Sequence, residues 1–133
     1  MKAGEKFDAS TNSELLNAIL GTDYKGYQYA IRKISDDNYI WMISLDGEKR
    51  YGWVHTFLEN TIVEDYVDGE PYPNNVSTGL NYKKRLVFDK VRKDGKTLYY
   101  VFRGVYELTN KGTYTHRIFE KVSDETDLIE MIS

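Results

Sequence analysis

Asp94-Gly95 is the feature that most narrows what this chain can fold into. The dipeptide separates two β-rich runs, and Asp-Gly suits a two-residue type I′ turn, which needs positive φ at both central positions. Pairing outward from the turn sets Lys93 opposite Lys96, Val91 opposite Leu98, Asp89 opposite Tyr100 and Val87 opposite Phe102. That register puts Val87, Val91, Leu98, Tyr100 and Phe102 on a core face. The other face carries Arg92, Lys90, Phe88 and Leu86 across from Thr97, Tyr99, Val101 and Arg103, basic near the turn and apolar further away. A slip of one residue would mix the two sets, so the pattern itself argues for the pairing. Gly104 interrupts the second strand and predicts a bulge or bend there.

The rest of the chain reads as further strands between two short helices. Twelve Tyr, five Phe and only two Pro favour half-buried pleated surfaces. Near the start, Thr11 and Glu14 have capping-box spacing, Leu15, Leu16, Ile19 and Leu20 form a helical stripe, and Gly21 suits the position after the last turn. A helix over about residues 12–20 follows. Strands are expected over Tyr27–Arg32, where residues alternate, over Tyr39–Leu45, apolar on both faces, and over Thr61–Val67. Tyr51–Glu59 fits either a strand or a single helical turn. Residues 68–81 form the longest irregular segment, Thr113–Val122 the last strand, and Ser123 a cap for a closing helix with Asp124, Glu125 and Asp127 in its first turn. Six or seven strands with a short helix near each end predict an α+β fold, a small, strongly curved mixed or antiparallel β-barrel.

Several function classes are disfavoured at once. The 133 residues suffice for a single domain, residues 1–133. With no cysteine there is no disulfide scaffold, thiolate metal site or cysteine nucleophile. His55 and His116 are too few for a histidine-rich metal site, and Asp36-Asp37-Asn38 reads as turn chemistry rather than a calcium loop. No apolar run approaches the roughly 20 residues of a membrane span, and Met1–Lys6 leads into no signal sequence. A cytoplasmic protein without membrane contact is expected. There is no Gly-x-Ser-x-Gly elbow, phosphate loop, dinucleotide fingerprint or His-Glu-x-x-His. No catalytic residue, metal or cofactor is therefore assigned, and each histidine reads first as a locally hydrogen-bonded side chain.

Charge is distributed unevenly. From Lys83 to Arg117 there are ten Lys/Arg against three Asp/Glu, in a chain whose formal net charge is −3. Lys90, Arg92, Lys93, Lys96 and Arg103, with Tyr99 among them, therefore form a candidate nucleic-acid-binding ribbon, since cations neutralise phosphates and aromatic rings stack on unpaired bases. The commoner reading of such a strand is a solvated outer face. A second constellation is Tyr51-Gly52-Trp53-Val54-His55-Thr56-Phe57. Tyr51, Trp53 and Phe57, with Trp41, are candidate walls of a pocket for a planar ring, although aromatics at such spacing more often belong to a core.

The run Tyr99-Tyr100-Val101-Phe102-Arg103-Gly104-Val105-Tyr106-Glu107-Leu108, followed by Arg117-Ile118-Phe119-Glu120-Lys121-Val122-Ser123-Asp124-Glu125, resembles the PUA-like modules, relatives of the SRA and EVE domains, that accompany restriction-type nucleases. The resemblance covers roughly the last third of the chain in strand order and texture. It implies a curved β-barrel that holds DNA or RNA, often with an extruded modified base. The expectation is a non-enzymatic nucleic-acid-binding module that reads a modified or flipped base within a restriction or defence system. The alternative is a protein-interaction or inhibitor domain of phage or mobile-element type, with a protein partner engaged by the acidic remainder.

Overall fold

The computed structural model describes residues 1–68 and 84–128. In chain order its elements are β1 (Lys6–Phe7), α1 (Asn12–Leu20), β2 (Ile31–Lys33), β3 (Tyr39–Ile43), β4 (Trp53–Phe57), β5 (Thr61–Tyr66), β6 (Lys84–Lys93), β7 (Lys96–Leu108) and β8 (His116–Ser123). The strands form one sheet in the order β2-β3-β6-β7-β8-β5-β4, with β1 added to β7. All pairs are antiparallel except β3 with β6. The α+β class holds, but the barrel expectation is corrected: the sheet curls without closing, leaving β2 and β4 as its ends. The curl nonetheless brings the ends near each other, since the Trp41 ring of β3 meets His55 of β4 edge-on at 5.3 Å.

Helix α1 forms as its local chemistry dictates. Thr11 Oγ1 accepts the backbone N–H of Glu14 at 3.2 Å, and Gly21 closes the helix at φ 69°. The Glu14 carboxylate turns back to Ser10, whose backbone N–H and hydroxyl both donate to it. Leu15 and Leu16 are fully buried against Ile40, Met42, Leu86, Phe88, Tyr100 and Phe102 in a dry core. On the opposite side of the same strands Trp41, Ile43, Ile62, Val87, Tyr106 and Phe119 form a second core.

The central hairpin departs from the simple register. Asp94 and Gly95 have φ of 53° and 76°, as a type I′ turn requires, and Lys93 pairs with Lys96. A bulge follows. Arg92 pairs with Thr97 but Val91 with Tyr99, which leaves Leu98 as an extra residue, 50% exposed. Beyond it Lys90 faces Tyr100 and Phe88 faces Phe102, so Phe88 and Leu86 join the core face from which the unbulged pairing excludes them. A second shift between Phe88 and Val87 makes Arg103 the extra residue, immediately before Gly104. Gly104 sits at φ 117°, and a Cβ there would meet the Ser123 carbonyl oxygen at 2.8 Å, so the expected bend falls where β7 approaches β8 closely.

Other expectations are also adjusted. Of the predicted Tyr27–Arg32 strand only the end pairs, because Tyr24 and Tyr27 pack into the dry core instead of extending the ladder. Tyr51–Glu59 resolves as a turn and β4. Ser123 ends β8 and its hydroxyl closes a local turn on Glu125, which bridges to Lys2, so the closing helix does not begin there. The segment 69–81, Lys83 and the residues after Leu128 lie outside the described residues.

Candidate functional site

Two short turns build the site. Before β4, Arg50 and Trp53 exchange backbone hydrogen bonds of 2.8 and 3.0 Å around Tyr51-Gly52, whose φ values of 54° and 87° make a second tight hairpin turn. Only glycine fits position 52, since a Cβ would lie 2.7 Å from the Tyr66 ring. The turn lifts Tyr51 clear of the protein, 99% exposed, and sets Trp53 edge-on against Tyr66 at 5.1 Å. Arg50 at its base donates to both carboxylate oxygens of Asp46 at 2.7 Å, and this hydrogen-bonded pairing lowers the Asp46 carboxyl to about 2.

A cleft of about 270 Å³ opens between this turn and the basic end of β6. Tyr51, Trp53, His55, Lys90 and Arg92 line it, together with Asn12 of α1 and Met42 of β3. Burial, then the charges of Arg92 and Arg50, push the Lys90 ammonium below its ordinary value. Among the described residues Arg92 makes a single long hydrogen bond, 3.4 Å to the Gly95 carbonyl. Cations crowded in this way favour an anion between them, while the aromatic wall suits a planar ring.

Beneath the cleft lies an ionic floor. His55 Nε2 and Glu64 Oε2 are 2.8 Å apart, and Arg117 Nη1 donates to Glu64 Oε1 at 3.0 Å. Glu64 and Arg117 are buried, as is Arg85, whose guanidinium stacks on the rings of Trp41 at 4.1 Å and Phe119 at 4.5 Å. Arg117 also lies 4.9 Å from the centre of the Trp53 ring, and its Nη2 is sealed without a partner among the described residues. Burial alone would raise the Glu64 carboxyl, but the His55 hydrogen bond and the charges of Arg85, His55 and Arg117 hold it down at about 2.

The structure brings Lys90 and Arg92 together with Tyr51 and Trp53, two groups that the sequence presents separately. Lys93 lies in an adjoining notch with Asp46, Glu48 and Arg50, and Lys96 is exposed at the hairpin tip. Arg103 leaves the ribbon: it pairs with Asp89 at 2.9 Å and packs over Phe57 on the opposite side of the hairpin. Tyr99 lies beneath the Lys6 ammonium, 4.1 Å from its ring centre. Trp41 is a core residue behind His55, only 1% exposed, and Phe57 packs on the second core rather than on the cleft. Glu64 and Arg117 are absent from the sequence-based set, although each stands two residues from a core residue on its strand, Ile62 and Phe119. A charge in the inward phase of a strand was the available signal.

A profile of the SET and RING associated (SRA) domain matches residues 5–128, and the chain belongs to that family. Among solved structures, the 5-hydroxymethylcytosine-specific restriction enzyme AbaSI is similar, with a TM-score of 0.66 at 23% identity over 89% of this chain and 39% of that one. The likeness is one of fold, and this chain spans well under half of the enzyme's length. No curated protein matches the sequence.

Proposed function

We propose that the chain is a DNA-binding module that recognises a modified base and acts by binding rather than by chemistry. The observation that carries this reading is one cleft lined by Tyr51, Trp53, Lys90 and Arg92 beside the His55–Glu64 pair. The aromatic rings suit a base extruded from its stack, and the cations suit the phosphates that flank it. Membership of the SRA family supports the reading, as does a fold shared with an enzyme whose name specifies 5-hydroxymethylcytosine. A restriction or defence system is the setting in which such a module would serve, supplying recognition to a nuclease.

The test is fluorescence anisotropy with duplexes that carry one central cytosine, 5-methylcytosine or 5-hydroxymethylcytosine. A modified duplex should bind best, and its affinity should fall with salt at about 0.9 logarithmic units per phosphate neutralised. A charged hydrogen bond is worth roughly 1.5–3 kcal/mol, so Lys90→Glu with Arg92→Glu should weaken binding at least about a hundredfold while the domain stays folded. Absence of binding to every duplex overturns the proposal. Preference for a single-stranded RNA of the same sequence would move it to RNA.

A further inference from the structure

The floor of the cleft has a polarity fixed by its own hydrogen bonds. His55 lines the cleft, with the Trp41 ring edge-on to it at 5.3 Å and Glu64 2.8 Å from Nε2. Glu64 also accepts from Arg117, so its carboxylate is ionised and acceptor-only at neutral pH. Nε2 must then carry the proton. In the neutral imidazole the remaining nitrogen, Nδ1, is a bare acceptor. It has no hydrogen-bond partner among the described residues, and the His55 side chain is 14% exposed.

From this arrangement we infer that His55 Nδ1 determines specificity in the cleft, accepting a hydrogen bond from a ring that carries an N–H or O–H donor on its edge and rejecting one that presents a carbonyl there. The inference rests on the binding function proposed above and says which edge chemistry is read. The charged groups around the ring are Glu64 from β5, Arg117 from β8, Arg85, Lys90 and Arg92 from β6, and Glu48 and Arg50 before β4.

The experiment compares the modified-cytosine duplex of the binding test with its deaminated counterpart, in which a carbonyl replaces the ring amino group. Each base is placed opposite an abasic site so that neither is paired. At about pH 8 the wild type should prefer the amino-bearing ring about tenfold or more. His55→Gln, whose amide offers both donor and acceptor, should show a preference within about threefold of unity. His116→Gln should behave as the wild type, because His116 pairs with Asp65 at an exposed site away from the cleft lining. If His55→Gln does not fold, imidazole ¹⁵N shifts of the wild type decide: a protonated Nε2 with a bare Nδ1 supports the inference, and the opposite tautomer overturns it. Binding with equal affinity for both rings, or with the same preference in His55→Gln as in the wild type, overturns the inference and leaves the binding function standing. If neither ring binds, both fall.

Discussion

The two sides of the central strands are built on opposite principles. Along β3 and β6, Ile40, Met42, Leu86 and Phe88 point into a core whose members Leu15, Leu16, Tyr100 and Phe102 are fully buried. A phenol enters that core, and it is satisfied: Tyr100 donates to Asn12 Oδ1 at 2.6 Å, while burial pushes its own ionisation upward. One residue along, Trp41, Arg85, Val87 and Asp89 point the other way, into a core that holds Glu64 and Arg117 beside Phe119. Burying apolar area stabilises a fold. Burying an ion pair seldom does, because desolvation offsets the attraction. Both sides bury apolar area, and the second also encloses an ion pair, which gives it the composition of a binding floor.

The largest effects should come from cutting into each side. Phe102→Ala should destabilise by about 3–5 kcal/mol through the cavity it leaves. Glu64→Ala should cost a similar amount, about 3–5 kcal/mol, because it strands buried cations. Urea denaturation of a double variant separates the two causes. Adding Arg117→Met to Glu64→Ala should recover about 1 kcal/mol or more by removing a stranded charge. A Glu64→Ala loss well below 1 kcal/mol would mean that the second side is wet, and the contrast would fail.

Acid should weaken the second side most. The Glu64 carboxyl is lowered from 4.5 to about 2, so its contribution is complete above about pH 4.5 and disappears as the pH falls towards about 2. On the order of 3 kcal/mol should be lost across that window. Thermal melts of Glu64→Gln should lack this component. Asp46 shares the depressed value, but its pairing with Arg50 is partly exposed and screened by solvent, so its share is small. The smallest change belongs to the dry side: Tyr100→Phe should cost about 1 kcal/mol, the net worth of one hydrogen bond, read from the urea midpoint.

What could be read in advance was local. Asp94-Gly95, Thr11 and Gly21 each fix their own backbone, and each behaves in the fold as its chemistry predicts. Register was harder, because β6 and β7 are apolar on both faces beyond the turn and a shift of one residue leaves hydrophobic side chains buried either way. Leu98 thus looked like a core residue until the bulge displaced it. Arg103 looked like a free cation because its partner, Asp89, is brought to it by the second bulge rather than by simple pairing. The cleft itself joins Asn12, Trp53 and Lys90, which no local pattern connects. Its floor was partly legible, since a Glu two residues from Ile62 and an Arg two residues from Phe119 break a core periodicity that hydrophobic patterning alone would complete.

Tyr51 occupies backbone territory that Asn or Gly would fill with less strain. A library of variants screened only for heat resistance should therefore drift towards those smaller residues at this position, producing sturdier molecules with a blunted rim. Thermal robustness and recognition would then pull a single codon in opposite directions, and the aromatic ring would survive only where the screen also rewards capture of a ligand.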